Sequence, residues 1–265
     1  MISNTVLLLG AGRMGGAMIE GWVVAGPVAP GDLIIRDPHP GPEALAAAQM
    51  GARLNPPDSS LGEAAVVVLA VKPQLWRAVA AEVQPHLSTD ACIISIAAGV
   101  TTADLTIAFE DRPIARVMPT TAVAVVQGAA SIYAAGVWER EQAHRLFDSI
   151  ATTVDLDDEE LMHTATAVSG SGPAYLYAFV EALEAAGVKA GLSASDAADL
   201  ARTTVAGAAS LMSISRASPA DLRTQVTSPG GTTQAGLSVL TGDGALENLL
   251  ADTVAAAVKR SKELG

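Results

Sequence analysis

The sequence predicts an α/β fold, with an N-terminal doubly wound parallel sheet and a C-terminal all-helical domain. Short apolar runs alternate with helix-like stretches from Thr5 to about Ile150, and the strand signal disappears after the acidic run 155–160. The length of 265 residues also exceeds the usual single domain of about 100 to 200 residues. We therefore expect two domains, residues 1–160 and residues 161–265.

The strands of the first domain are predicted from short apolar runs that are bounded by Gly, Pro or polar residues. Continuous apolar runs of this kind are typical of parallel strands that are buried on both faces. The predicted strands are 6–9, 33–35, 66–71, 93–96 and 114–118. Helical spacing and composition between them predict helices over 14–25 and 41–50.

The second domain is predicted to be helical throughout. We interpret the acidic run 155–160 as the solvated start of a helix. Pro173 suits the first turn of a helix over 175–186, and the Ala-rich stretches 195–212 and 234–262 predict further long helices. Only 3% of the residues are aromatic, so a helical unit of about 100 residues needs a partner subunit to complete its core. We expect a dimerisation domain, and a homodimer or a higher homo-oligomer built on that dimer.

Composition restricts the class of partner. The 16 Lys and Arg residues against 28 Asp and Glu give a formal net charge of -12, and no basic cluster stands out. This argues against a nucleic acid or an anionic membrane as partner and favours a small soluble molecule. The N-terminus shows neither a basic leader nor a cleavage site, and no apolar run reaches about 18 residues, so we expect a cytoplasmic enzyme.

The sequence predicts no metal site. Cys92 is the one cysteine, and its apolar surroundings favour a buried spectator thiol over a nucleophile. The four histidines, His39, His86, His144 and His163, are far apart in sequence and lack metal-ligand spacing. We expect each histidine on the surface or at a helix end.

A glycine-rich turn is the first functional motif. It reads Gly10-Ala11-Gly12-Arg13-Met14-Gly15, follows a predicted strand and opens a predicted helix. In a Rossmann-type fold, the first glycine allows the tight turn, the second lets the backbone approach a pyrophosphate, and the third lets helix and strand pack closely. Free N–H groups at the helix N-terminus attract the negative charge. The motif predicts binding of a nicotinamide dinucleotide, and the alternative is a tight turn without a ligand.

The tip of the second predicted strand should meet the adenosine end of that cofactor. Arg36 and Asp37 stand there, and they indicate opposite preferences, because a basic residue accommodates a 2′-phosphate whereas an acidic one binds a free 2′-hydroxyl. Arg36 directly follows the apolar part of the strand, where an NAD-selecting acid would lie. NADPH is therefore favoured, and NADH is the alternative through Asp37. For each residue, an exposed loop charge is the structural alternative.

Two loops follow the carboxyl ends of later predicted strands, where ligands bind in open α/β sheets. They are Ala70-Val71-Lys72-Pro73-Gln74 and Ser95-Ile96-Ala97-Ala98-Gly99-Val100, and we expect both to line the nicotinamide half of the cofactor. Lys72 is expected to be fixed near cofactor oxygens. The alternative is a proton donor whose pKa is lowered by desolvation.

Two unusual loops precede helices in the second domain. They are Ser169-Gly170-Ser171-Gly172-Pro173 and Val226-Thr227-Ser228-Pro229-Gly230-Gly231-Thr232-Thr233. Each places backbone and hydroxyl donors at the positive end of a helix, which suits a carboxylate; the alternative is an elaborate helix cap. No histidine or carboxylate pair accompanies them, so reduction of a C=N bond is favoured over alcohol oxidation, which needs a base.

Taken in order along the chain, these motifs and Arg116-Val117-Met118-Pro119 resemble the pyrroline-5-carboxylate reductase family. The segment 226–233 is the most specific of them, whereas the glycine motif is shared by many unrelated dehydrogenases. The resemblance implies NAD(P)H-dependent reduction of 1-pyrroline-5-carboxylate to L-proline, the last step of proline biosynthesis. It also implies that the helical domain dimerises by interlocking, with a site between the cofactor domain of one subunit and a helical domain.

The resemblance also implies a role for each matching residue. The pyrophosphate is held by Gly10, Ala11, Gly12, Arg13, Met14 and Gly15, and the ribose and nicotinamide lie against Ala70, Val71, Lys72, Pro73, Ala97, Ala98 and Gly99. The substrate carboxylate is held by Ser228, Pro229, Gly230, Gly231 and Thr232. Thr233 binds the ring nitrogen and relays a proton, which makes it the catalytic residue.

Some positions depart from the family pattern: Thr120 and Ala122 stand where Asn and Pro are common, Arg216 stands where Glu is common, and Asn55 lies about two residues early. Other functions remain open as alternatives: a reductase of another cyclic imine, a β-hydroxyacid dehydrogenase and a catalytically weak dinucleotide sensor. The dehydrogenase would want a lysine early in the 175–186 helix, which has none before Lys189. The sensor would need only the first turn.

Overall fold

The computed structural model describes residues 4–264. Its strands are β1 (Val6–Leu9), β2 (Leu33–Arg36), β3 (Arg53–Leu54), β4 (Val66–Leu69), β5 (Cys92–Ser95), β6 (Ile114–Pro119), β7 (Gly128–Ala134) and β8 (Ala151–Asp155). Across the described residues they form an eight-stranded sheet in the order β3-β2-β1-β4-β5-β6-β7-β8. Strands β1 to β6 pair in parallel, whereas β7 is antiparallel to β6 and parallel to β8.

The helices follow the strands in the alternation that parallel pairing requires. They are α1 (Arg13–Ala25), α2 (Pro42–Gln49), α3 (Trp76–Val83), α4 (Thr102–Ala108), α5 (Val137–Phe147), α6 (Leu161–Ala165), α7 (Gly172–Lys189), α8 (Ala194–Ile214), α9 (Pro219–Gln225), α10 (Thr232–Leu240) and α11 (Ala245–Glu263). A short π-helix, Thr166–Gly170, lies between α6 and α7.

The first unit of the chain comprises residues 4–170 and 257–264. Successive strand residues point to opposite faces of the sheet, so Leu8 joins one buried apolar cluster and Leu7 joins the other. Trp22 of α1 covers the first face, and its indole N–H donates to the carbonyl oxygen of Leu146 at 2.9 Å. Trp76 of α3 covers the second face. These layers hold the carboxyl ends of β1, β2 and β4 at one edge of the sheet.

The second unit comprises residues 171–256. Among the residues described there, Ala197 and Ala201 are the buried apolar ones. Helices α7 and α8 approach closely at Gly187, where an added Cβ would lie 3.3 Å from the Cβ of Ala197. The unit therefore packs through small residues and leaves most of its larger apolar side chains accessible.

The predicted fold class is confirmed, and the five predicted strands are present with their ends shifted by at most two residues. The five predicted strands pair in parallel, and β7, which was not predicted, runs antiparallel to β6. Strands β3, β7 and β8 were not predicted. Small residues open β7, and β8 carries two threonines and an aspartate, so neither forms the continuous apolar run by which buried strands are recognised.

The acidic run 155–160 is not the start of a helix, as the sequence led us to expect. Asp155 ends β8, and α6 begins only at Leu161. Glu159 is not a solvated charge either, because its carboxylate lies 2.7 Å from the guanidinium of the buried Arg116. Asp158 accepts the N–H of Glu160, and the Glu160 carboxylate lies 3.0 Å from Lys262.

Two further predictions about the helical part need correction. The predicted helix 234–262 is two helices, because a turn at Gly242–Gly244 separates α10 from α11 and places Asp243 at a φ of 53°. The predicted loop 169–173 is largely helical, and the Ser169 hydroxyl donates to the Ala165 carbonyl at 2.8 Å within the π-helix. Pro173 does lie in the first turn of α7. Within residues 4–264 no helix is long and apolar enough to cross a membrane.

Candidate cofactor and substrate sites

A pocket of about 570 Å³ lies at the carboxyl ends of β1, β2 and β4. It brings together seven of the predicted site residues: Gly10, Gly12, Arg36, Asp37, Ala70, Val71 and Lys72. They meet because parallel strands present their carboxyl ends to one edge of the sheet. Four other predicted residues, Ala11, Arg13, Met14 and Gly15, belong to the same turn and to the start of α1 and are not among the lining residues.

The glycine turn has two glycines that its own packing requires and one that faces open space. Gly10 has a φ of +93°, and a Cβ on it would lie 2.8 Å from the Ala70 carbonyl oxygen. A Cβ on Gly15 would collide with the carbonyl oxygen of Gly10. At Gly12, by contrast, nothing lies within 4 Å of the Cβ position. The turn therefore leaves backbone accessible at Gly12, as the approach of a pyrophosphate requires.

Asp37 is fixed at the rim of this pocket by backbone groups. Its Oδ2 accepts the N–H of Ala11 at 2.6 Å, and its Oδ1 accepts the N–H of His39 at 2.7 Å. Asn55 pairs with the Asp37 backbone through two hydrogen bonds, at 3.0 Å and 2.8 Å. The Asp37 carboxylate therefore joins the tip of β2 to the glycine turn, because it accepts the N–H of Ala11.

Arg36 lies beside Asp37 but does not project freely into the pocket. Its guanidinium contacts Asp58 Oδ1 at 2.9 Å and Glu82 Oε1 at 3.1 Å, and it donates to the Pro56 carbonyl at 3.2 Å. Neither carboxylate partner was identified from the sequence. Both carboxylates reach Arg36 only in the folded chain, where a short 3₁₀-helix and α3 bring residues 58 and 82 next to β2. No local pattern in the sequence indicates these contacts.

The apolar wall of the pocket comes from α3 and the residue before it. Leu75, Val79 and Val83 line it, and their spacing of four places them on one face of the helix. The sequence analysis did not predict this helix and so missed the wall. The spacing of four between these apolar residues was the signal that could have identified the helix. An apolar wall beside a polar rim is the usual environment of an aromatic base.

The two predicted nicotinamide loops follow the carboxyl ends of β4 and β5. Lys72 is exposed and lines the main pocket, which favours its role as a fixed cation near cofactor oxygens. Pro73 and Gly99 line a second cavity of about 280 Å³. Ala97 is buried, and its N–H donates to the Ser95 hydroxyl at 3.3 Å, while Ala98 is half-buried. The structure thus brings Pro73 and Gly99 together.

Glu159 connects β6 to the start of α4, just after the second nicotinamide loop. Its Oε1 accepts from Arg116 and from the N–H of Thr102, both at 2.7 Å, and its Oε2 accepts the Thr102 hydroxyl at 2.6 Å. Burial alone would raise the pKa of Glu159, but these hydrogen bonds outweigh it and lower the pKa. The pair anchors the chain that follows residues 97–99.

The segment 226–233 joins α9 to α10. The Thr227 hydroxyl is used within the fold, because it donates to the Arg223 carbonyl at 2.6 Å. The N–H of Gly230 donates to the Gln234 side chain at 2.6 Å. Among the described hydrogen bonds, none engages the hydroxyls of the other three predicted residues, Ser228, Thr232 and Thr233, all of which are exposed. Gly231 caps α10 without a side-chain bond, so the first N–H groups of that helix are free for an anion.

Thr120, one of the departures from the family pattern, has a structural use. It is buried, its N–H donates to the Ala129 carbonyl at 2.9 Å, and its hydroxyl accepts the N–H of Ala129 at 3.0 Å. It therefore holds β6 to β7. Ala122 lies in the turn that follows, and Arg216 follows α8.

Of Cys92 and the four histidines, His39 alone lines the main pocket. Cys92 is buried as predicted, and burial raises the pKa of its thiol to about 12. His39 and His86 are exposed, and His144 lies in the last turn of α5. His163, at the end of α6, is buried and lies 2.9 Å from the Ser261 hydroxyl. No group of three or more metal-ligating side chains occurs within the described part of the chain.

Comparison with known proteins agrees with this architecture. A family model described as pyrroline-5-carboxylate reductase dimerisation matches residues 159–264, and one described as NADP oxidoreductase, coenzyme F420-dependent, matches residues 5–99. A pyrroline-5-carboxylate reductase of Pseudomonas aeruginosa is 37% identical over 271 residues, which cover 100% of this chain and 98% of that protein.

Solved structures of the same kind superpose over the whole chain. A pyrroline-5-carboxylate reductase from Coxiella burnetii has a TM-score of 0.89 at 32% identity, and one from Plasmodium falciparum with NADP bound has a TM-score of 0.84 at 27% identity. Each comparison covers 100% of this chain and 99% of the other. Because a full-length relative is 37% identical and the dimerisation model spans the helical part, the chain belongs to the pyrroline-5-carboxylate reductase family, as its motifs predicted.

Proposed function

We propose that the protein reduces the C=N bond of 1-pyrroline-5-carboxylate to give L-proline, with NADPH or NADH as the reductant. The observation that carries the proposal is the segment 226–233, which leaves exposed hydroxyl and backbone donors at the start of α10 in the pattern most specific to the family. Such donors suit a carboxylate, because several N–H bonds to one anion are strong without an arginine.

The first unit holds the proposed cofactor site. The pyrophosphate would lie at Gly12 and the N-terminus of α1, the adenosine at the tip of β2 and the wall of α3, and the ribose and nicotinamide at residues 70–73 and 97–99. The open space at Gly12 fits this assignment. When bound, the dinucleotide supplies the hydride that the C=N carbon accepts.

The second unit supplies the groups that hold the substrate. In this proposal the donors of residues 228–232 bind the carboxylate, and the Thr233 hydroxyl donates to the ring nitrogen. One hydride to the carbon and one proton at the nitrogen complete the amine, so the chain needs to orient the imine and deliver a proton to its nitrogen. Correct orientation alone can lower a barrier by about 7 to 11 kcal/mol in favourable systems.

The remaining parts of the proposal concern assembly and location. A homodimer is supported by the match of residues 159–264 to a dimerisation model and by the lack of large buried side chains in residues 171–256. A cytoplasmic location stays a prediction from the sequence. The choice between NADPH, which the sequence favours, and NADH depends on Arg36 and Asp37.

The test follows oxidation of NADPH and NADH with 1-pyrroline-5-carboxylate. We expect Thr233→Ala to lower kcat/KM by about 100-fold, as loss of a proton-transfer group typically does, and Thr233→Ser to keep most of the activity. Thr224→Ala is the matched control, because the Thr224 hydroxyl already donates to the Ala220 carbonyl at 2.9 Å.

Different outcomes contradict different parts of the proposal. No turnover of this imine with either cofactor contradicts the proposed reaction, and cofactor binding without any turnover would favour a dinucleotide sensor. Turnover with another cyclic imine alone would redirect the substrate. Equal activity of Thr233→Ala and wild type removes Thr233 from the mechanism and leaves the reaction intact.

A further inference from the structure

At the adenosine end of the main pocket, acidic side chains hold Arg36 in place. The Nη2 of Arg36 lies 2.9 Å from Asp58 Oδ1 and 3.1 Å from Glu82 Oε1, and its Nη1 donates to the Pro56 carbonyl at 3.2 Å. A guanidinium presents its N–H groups in a fixed planar fork. Because Nη1 and Nη2 are both engaged, Arg36 has lost much of the capacity to bind a phosphate that made it a candidate ligand.

Asp37 cannot move away to make room for a phosphate. Both of its carboxylate oxygens accept backbone N–H groups, and Asn55 clamps its main chain from the other side. Its charge therefore stays at the rim of the pocket, next to the position at which a Rossmann-type fold places the adenosine ribose. A carboxylate accepts hydrogen bonds from ribose hydroxyls and repels a 2′-phosphate.

We propose that the Asp58–Arg36–Glu82 bridge, together with Asp37, makes this chain prefer NADH to NADPH. Arg36 and Lys72 stand against the three carboxylates of Asp37, Asp58 and Glu82, so with His86, 3.8 Å from Asp58, and His39 neutral the local charge is negative and opposes the extra phosphate. Arg36 serves as part of the wall around the base and not as a phosphate ligand. His39 and Lys72 also line the pocket, but the N–H of His39 supports the Asp37 carboxylate. The inference rests on the proposed function and reverses the preference indicated by Arg36 in the sequence alone.

The test measures dissociation constants of NADH and NADPH by the fluorescence of the bound reduced cofactor, on the full-length protein and without substrate. We expect wild type to bind NADH about tenfold more tightly than NADPH, a difference of about 1.4 kcal/mol. Asp58→Asn with Glu82→Gln should free Arg36 and improve NADPH binding about five- to tenfold, with NADH binding changed less than about twofold. Asp37→Asn should weaken NADH binding and improve NADPH binding.

Glu63→Gln is the control, because it removes a carboxylate from another ion pair of the same unit, with Arg53 at 2.8 Å, at one negative charge where the double variant removes two. It should leave the ratio of the two dissociation constants unchanged. Tighter binding of NADPH by wild type, or a ratio that the double variant does not move, overturns the inference. If neither dinucleotide binds, the proposed function fails with it; if NADH binds without turnover of the imine, only the reaction fails.

Discussion

The two units of the chain are built in different ways. In residues 4–170, apolar side chains fill both faces of the sheet and form two buried clusters. In residues 171–256, Leu176, Tyr177 and Phe179 of α7 alone leave 44%, 67% and 45% of their surface exposed, and the described buried apolar residues are two alanines. Exposed apolar surface of this extent is typical of an interface.

This difference means that the proposed cofactor pocket and the proposed substrate segment are held in place in different ways. The cofactor pocket is fixed by the core of its own unit, because the strands that end at it are anchored between two apolar layers. The segment 226–233 lies in a unit without such a core, so its order depends on burial against another surface. A partner copy is the source that the dimerisation model favours.

The largest effect is expected in the core of the first unit. Trp22→Ala removes a side chain that is 1% exposed and leaves the Leu146 carbonyl without its donor, so the free energy of unfolding of this unit should fall by about 3 to 5 kcal/mol. Urea denaturation followed by circular dichroism measures it. Val24→Ala on the same helix is the control, because Val24 is 72% exposed, and its effect should stay below about 0.5 kcal/mol.

A smaller effect is expected when a charge is placed on the exposed face of the second unit. Tyr177→Glu alters a side chain that lines the groove between α7 and α8, and it should raise the dissociation constant of the dimer about 100-fold, or about 2.7 kcal/mol. Helical content should fall with assembly, as seen by light scattering and circular dichroism at matched concentrations. Val24→Glu, at a comparably exposed site of the first unit, should leave assembly unchanged. A stable monomer with full helical content would contradict the comparison.

The contrast also explains what the sequence could predict of the fold. Strands such as β1 and β4 are buried on both faces, so their apolar runs are visible in the sequence almost to the residue. Strand β8 is half exposed and partly polar, and its place depends on pairing with β7. Long-range pairing of this kind leaves no local pattern. The break at Asp243 differs, because Gly242-Asp243-Gly244 is a local turn signal that was overlooked within an otherwise continuous helical composition.

The parts of the candidate site that could be predicted from the sequence are those in which the backbone conformation requires a particular residue type. Gly10 and Gly15 are required by close contacts within the turn, so their spacing identifies the pocket. The partners of Arg36 could not be predicted, because Asp58 and Glu82 are 22 and 46 positions away and reach it only through the folded sheet and α3. The sequence predicted a positive charge at the tip of β2, but it did not predict the residues that surround Arg36.

The smallest effect concerns the ion pair that joins Glu159 to β6 of the first unit. Glu159→Gln leaves the guanidinium of Arg116, whose side chain is 4% exposed, without its charged partner, and should cost about 2 kcal/mol of unfolding free energy at neutral pH. Hydrogen bonds from Thr102 and Arg116 outweigh the effect of burial and lower the pKa of Glu159 below 4.5, the ordinary value for a glutamate. Because the folded pKa is the lower one, the carboxylate stabilises the fold above about pH 4.5, and this contribution is lost as the pH falls through the folded pKa.

The difference between wild type and Glu159→Gln should therefore be largest near neutral pH and shrink in acid, which urea denaturation at several pH values measures. The neighbouring Glu160→Gln is the control: its partner Lys262 lies 3.0 Å away, but both side chains are more than half exposed, so the loss should stay below about 0.5 kcal/mol. Equal losses in the two variants would mean that pairing with Arg116 does not stabilise this part of the first unit. A loss confined to Glu159→Gln would mean that the buried guanidinium of Arg116 needs this carboxylate as its partner.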